Sequence, residues 1–178
     1  PVPVAAGVTV SPATVSVRAA DTQQFSAALQ GSGSTTGGFS WSVNGIAGGD
    51  SVVGTISSSG LYTAPGVLPN PTSVSIRATS NAEPTKYGIS ATSLLNPIPL
   101  LTDVNPRTIG VGLITLHVVG GRYVSGATIN FGGTSLPATL VSSSHLSATF
   151  TIPSSQTGNI SITVSNPSCL PCPSTPEA

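Results

Sequence analysis

Apolar and polar side chains alternate along this chain in short runs, separated by Gly, Pro, Asn and Ser. Alternation sends successive side chains to opposite faces of a strand, so each run predicts a half-buried β-strand. In the first half the runs fall at residues 8–10, 14–18, 24–29, 39–43, 54–56, 61–63, 74–79 and 87–93. In the second half they fall at 101–104, 113–119, 127–131, 139–142, 145–151 and 159–165. A strand about every 8–12 residues, with turn residues between, is the pattern of sandwiches and barrels. Helical periodicity is missing throughout. Parallel strands need long crossovers, usually helical, so the sheets are expected to be mainly antiparallel.

The pattern breaks at Asn96-Pro97-Ile98-Pro99. Two prolines remove two backbone donors and bias the residues before them toward extended geometry, which predicts a short, stiff hinge. The expected organisation is one sandwich with an N-terminal extension over 1–95, a hinge at 96–99, a second sandwich over 100–166 and a Pro/Cys tail at 167–178. Each half is long enough for one thin sandwich core. The fold class is therefore all-β, two sandwiches in tandem.

Composition narrows the chemistry. Among 178 residues there are five Lys or Arg and five Asp or Glu, 6% charged, with zero net charge. Ordinary soluble domains carry about 25% charged residues. Nucleic-acid affinity rests largely on cations against phosphate, and Arg18, Arg77, Lys86, Arg107 and Arg122 are dispersed. No nucleic-acid partner is expected. No apolar run approaches the roughly 18–20 residues that span a bilayer, so no membrane insertion is expected either. Zero net charge leaves little repulsion between copies, which permits self-association. The chain opens on Pro1-Val2-Pro3-Val4 and contains no Met, as expected of a processed product or a piece of something longer.

Catalytic and metal constellations are absent from the pattern, and no cofactor is expected. His117 and His145 are the two histidines. With Ile114, Leu116 and Val118 on the core face, His117 points outward. Ser144 beside His145 invites a nucleophile reading with Asp103 as the orienting acid. Adjacent strand residues face opposite ways, and no Gly-x-Ser-x-Gly elbow is present, so both histidines read as solvated surface groups. Zinc needs four N or S ligands and calcium several oxygens, whereas Asp21, Asp50, Glu83 and Asp103 are scattered. Asp103 near the hinge is the best-placed acid for calcium. Lys86, the single lysine, sits in the Pro84-Thr85 turn and reads as solvated rather than as a cross-linking group. Cys169-Leu170-Pro171-Cys172 has redox spacing but no helix to stabilise a thiolate. A local disulfide between Cys169 and Cys172, or a bond to another chain, suits an oxidising compartment better. Of the aromatics, Trp41 is expected in a core, leaving Tyr62 and Tyr123 as candidate ligand-facing platforms for a polysaccharide.

Two resemblances add to this reading. The first half runs Val8-Thr9-Val10-Ser11-Pro12, Gln23-Gln24-Phe25-Ser26-Ala27 and Phe39-Ser40-Trp41-Ser42-Val43-Asn44-Gly45. It continues through Gly54-Thr55-Ile56, Gly60-Leu61-Tyr62-Thr63-Ala64-Pro65 and Ile76-Arg77-Ala78-Thr79-Ser80. In order and content, residues 5–95 resemble the bacterial immunoglobulin-like (Big-type) repeats of secreted proteins. The second half carries Gly120-Gly121-Arg122-Tyr123, Ala127-Thr128-Ile129-Asn130-Phe131-Gly132-Gly133 and Ile160-Ser161-Ile162-Thr163-Val164. Residues 97–166 resemble the IPT/TIG family, another immunoglobulin-like fold. Asn105-Pro106-Arg107-Thr108 departs from that family's usual Ser/Gly-rich opening.

The resemblances imply an extracellular or cell-surface bacterial protein, and no shared catalytic residues. The expectation is a non-catalytic structural protein: a tandem immunoglobulin-like unit of a surface stalk, adhesin or self-assembling fibre. The alternative is an accessory carbohydrate-binding or spacer module of a secreted enzyme. Val8–Val10 and the apolar segment before it suit strand addition to an open sheet edge of a neighbouring copy, with Pro3 confining it to an edge position.

Overall fold

The computed structural model describes residues 7–30 and 37–167, which divide into two compact units between Leu95 and Asn96. Every regular element among the described residues is a strand.

The first unit contains β1 (Gly7–Ser11), β2 (Thr14–Arg18), β3 (Thr22–Gln24), β4 (Ser26–Gln30), β5 (Phe39–Val43) and β6 (Ile46–Ala47). It continues with β7 (Gly49–Asp50), β8 (Gly54–Ile56), β9 (Leu61–Thr63), β10 (Ser73–Ser80) and β11 (Tyr87–Leu95). One sheet runs β2-β11-β10-β5-β6, and the facing layer is β3-β9-β8-β7 extended by β1-β4. The run 24–29 is broken at Phe25, whose fully buried ring turns into the core while its N–H donates to the Gly60 carbonyl at 2.8 Å. β2 pairs parallel with β11, Thr14 opposite Ala91. This exception to the antiparallel rule needs no crossover helix, because almost the whole sandwich lies between the two strands in sequence.

Between the layers pack Val10, Phe25, Trp41, Val43, Tyr62, Ile76 and Leu94 among others. Trp41 and Val43 share the buried face of β5 while Ser40 and Ser42 face away, as the alternation requires. Gly60 is dictated by this core. It sits at φ +83°, and a Cβ there would lie 2.9 Å from the Trp41 ring and collide with the Phe25 carbonyl.

The second unit contains β12 (Leu100–Asn105), β13 (Gly112–Gly121), β14 (Thr128–Phe131), β15 (Thr134–Pro137), β16 (Thr139–Ser142), β17 (His145–Ile152) and β18 (Ile162–Ser165). Its sheets are β12-β13-β17-β16 and β15-β14-β18. Leu116, Val118, Ile129, Phe131, Leu146 and Ile152 form the core between them. The rings of Phe131 and Phe150 meet edge to face, centroids 4.8 Å apart. Asn96 and Pro97, read from sequence as hinge, are hydrogen-bonded into this unit. Asn96 Nδ2 donates to the Pro167 carbonyl at 2.9 Å, and Asn166 Nδ2 donates to the Pro97 carbonyl at 2.8 Å.

Both units are immunoglobulin-like sandwiches, all-β and consecutive in the chain.

Candidate functional site

The two tyrosines proposed as ligand platforms are core residues. Tyr62 is fully buried, packed edge to face with Phe25 and with its hydroxyl donating to the Val53 carbonyl at 2.7 Å. Burial pushes its pKa up to about 12. Tyr123 is 2% exposed, its hydroxyl has no hydrogen-bond partner among the described residues, and burial raises its pKa as well. Neither ring presents a face to a sugar, which corrects the expectation. The reason is register: Tyr62 lies on β9 between two outward threonine or leucine positions, and so falls on the inward face. Tyr87 is about half exposed, but the Arg77 guanidinium sits over its ring, 3.8 Å from the centroid. Cys169 and Cys172 lie outside the described residues.

The histidines do come together. His117 on β13 pairs with Ser147 of β17, and Val119 pairs with His145, so the two imidazoles sit diagonally on the outward face of one sheet. His117 Nδ1 lies 3.1 Å from His145 Nε2. Sequence reading placed both side chains outward but missed the pairing, because the register of two strands 28 residues apart is invisible in either run. Two ring nitrogens fall short of a four-ligand zinc site, and no group of three or more His, Cys, Asp or Glu gathers among the described residues. Ser144 Oγ bonds Ser142 Oγ at 3.1 Å, so the serine beside His145 engages its own turn. Asp103 Oδ1 takes a 2.7 Å ion pair from Arg107 and accepts the Val104 N–H at 2.7 Å.

The second unit also carries a cleft. It opens between β12 and β18, with a volume of about 390 Å³ bounded by Val104, Ile109, Leu116, Phe131, Ile160 and Ile162. It continues into a shallower hollow of about 370 Å³ beside Leu101, with the Asp103–Arg107 pair at its rim. This seam between the two sheets is lined by both apolar and polar groups. Its walls also include Arg107, Thr108 and Asn159, so apolar packing surface alternates with hydrogen-bonding groups.

No protein-family model matches this chain, and no curated protein matches it. Similar solved structures include the N-terminal eight Ig domains of Down Syndrome Cell Adhesion Molecule, at 16% identity over 89% of this chain and 25% of that one, TM-score 0.41. Another is SGBP-B of a Bacteroides ovatus mixed-linkage glucan utilization locus, in complex with a heptasaccharide, at 17% identity over 86% of this chain and 38% of that one, TM-score 0.31. Murine CEACAM1b is similar at 17% identity over 90% of this chain and 92% of that one, TM-score 0.33. The chain thus spans a quarter of the adhesion-molecule structure and under two fifths of the glucan-locus protein. No helix among the described residues is long and apolar enough to cross a membrane.

Proposed function

We propose that this chain is a non-catalytic structural unit of a bacterial surface stalk, adhesin or fibre, and that it associates with copies of itself. The supporting observation is its surface. The outward faces of the strands carry Ser and Thr, as in the 2.8 Å Thr115–Thr149 hydroxyl pair, with large apolar side chains such as Leu113, Val119 and Ile89 standing among them. Formal charge is 6% of the sequence and the net charge is zero. Such a face loses little hydration on contact with its like and suffers little repulsion from it. The resemblances of residues 5–95 to Big-type repeats and of 97–166 to IPT/TIG domains support an extracellular bacterial setting.

Light scattering and negative-stain imaging of the native protein test this reading. Large ordered particles are expected; a 17.5 kDa monomer at all accessible concentrations overturns it. The carbohydrate-binding alternative needs a free aromatic face. Tyr62 and Tyr123 are buried and Arg77 covers Tyr87, so retention on insoluble glycans is expected to be absent.

A further inference from the structure

The two sandwiches differ at one place in their topology, and the first provides the standard for the second. In the first unit the chain leaves β9, crosses to the other sheet and forms β10, which pairs antiparallel with β5 on one side and with β11 on the other. In the second unit the chain leaves β17, crosses likewise and forms β18, which pairs antiparallel with β14. There the sheet ends: among the described residues no strand lies along the second edge of β18. Among the described residues β18 has no counterpart of β11.

The packing registers the gap. On β10 the core-facing Val74, Ile76 and Ala78 are buried, the last two completely. On β18 the core-facing Ile162 and Val164 are only half-buried, and so are Leu101, Val104 and Ile160 around them. The 390 Å³ seam meets this strand at Ile162 and runs from there past Ile160 to the loop at 106–109. A free edge of N–H and C=O groups beside exposed apolar surface is a template for strand addition.

Residues 166–167, directly after β18, are engaged elsewhere. A hairpin back along β18 would have to turn at residues 166–168. Instead Asn166 donates to the carbonyls of Pro97 and Arg122 and accepts the Val124 N–H, while the Pro167 carbonyl accepts from Asn96. Those bonds hold residues 166–167 against 96–97 and 122–124. The segment beyond offers Leu170 as its one large aliphatic side chain.

Residues 1–6, Pro1-Val2-Pro3-Val4-Ala5-Ala6, have the required chemistry. In extended form Val2, Val4 and Ala6 share one face, suited to the seam. Their backbone N–H groups also point to one lateral side, leaving the prolines, which have no N–H, on the other. Such a segment can pair along one edge and no further, which fits a terminal strand. Six extended residues reach about 20 Å, enough to cover the four-residue β18. The segment carries no charge, and Asp103 and Arg107 at the rim satisfy each other.

Resting on the self-association reading, we propose that residues 1–6 of one copy add as the missing edge strand to β18 of the next, filling the seam with Val2 and Val4. The joint is head to tail, so it propagates. The test compares full-length parent with the Val2→Asp/Val4→Asp variant by light scattering, with melting curves to confirm folding. It adds hydrogen exchange at residues 162–165 and a synthetic peptide of residues 1–7. The expected result is an assembled parent and a folded 17.5 kDa variant whose β18 amides become protected when the peptide is added. Excess peptide should also shorten the parent's assemblies. A parent that is monomeric overturns the self-association reading and this joint with it. A variant that assembles like the parent, or a peptide that protects nothing in β18 and leaves the parent's assemblies intact, overturns the joint alone.

Discussion

Tyr62 and Tyr123 are chemically alike and buried alike, yet they should respond oppositely to loss of the hydroxyl. The Tyr62 hydroxyl donates to the Val53 carbonyl, so Tyr62→Phe strands a partner and is expected to cost about 0.5–1.5 kcal/mol. The Tyr123 hydroxyl is desolvated with no partner among the described residues, so Tyr123→Phe is expected to be neutral or stabilising in a denaturant titration. Tyr62 also fixes an alkaline signature. Burial lifts its folded pKa to about 12, above the ordinary 10.0, so the folded state holds a proton that the unfolded chain releases. The stability tied to that proton is intact below pH 10 and is lost between 10 and 12, by up to about 1.4 kcal/mol per pH unit. Tyr62→Phe should flatten that descent; an unchanged pH profile would show that Tyr62 is not its source. The histidine pair makes a sharper prediction. If His117 Nδ1–H donates to His145 Nε2, both neutral rings carry their proton on Nδ1; if His145 donates, both carry it on Nε2. Long-range proton–nitrogen NMR at neutral charge should therefore find the same tautomer in both rings. Opposite tautomers would mean that the 3.1 Å contact is not a hydrogen bond.

At the scale of elements, the end of β18 hangs on one side chain. Asn166 donates to Pro97 and Arg122 at 2.8 and 2.7 Å and accepts from Val124 at 3.2 Å. Asn166→Asp keeps the shape and the acceptor but replaces both donated bonds with a charge facing two carbonyls. A loss of about 1–3 kcal/mol is expected by chemical denaturation, and a change within error would show the clasp to be dispensable. No alternation rule exposes such a residue, because its partners lie 42 to 69 positions away. The long runs were legible for the opposite reason: residues 74–79, 87–93, 113–119 and 145–151 each alternate over enough positions to exclude a helix. The short return strands β6 and β15 escaped notice, since two apolar residues or one cannot establish a period. Their turns were the readable signal. Asn44-Gly45 and Gly132-Gly133 both adopt positive φ at two successive positions, the two-residue hairpin turn that such dipeptides favour. Tyr62 and Tyr123 failed differently. Their faces are not fixed by pattern, because 3-residue β9 and the loop after β13 give no run long enough to set one.

For the whole molecule the decisive quantity is charge, because it separates two ways in which copies could attract. Association through complementary charge weakens as salt rises, since the Debye length falls from about 10 Å at 0.1 M to about 3 Å at 1 M. Association through strand addition and apolar burial has no such dependence, and excluded salts strengthen it. Five cations and five anions in 178 residues leave little to screen. The Asp103–Arg107 pair, with side chains 47% and 76% exposed, is the kind that contributes little to stability. The particle mass should accordingly be unchanged, or should grow, between 0.05 and about 1 M sodium chloride, with the thermal midpoint moving little over the same range. Dissolution at high salt would instead trace the contact to the few charges, and would direct attention away from β18 toward Arg18, Arg77 and Arg122. A salt-resistant assembly that falls apart on loss of Val2 and Val4 is the combination that only an apolar edge strand produces.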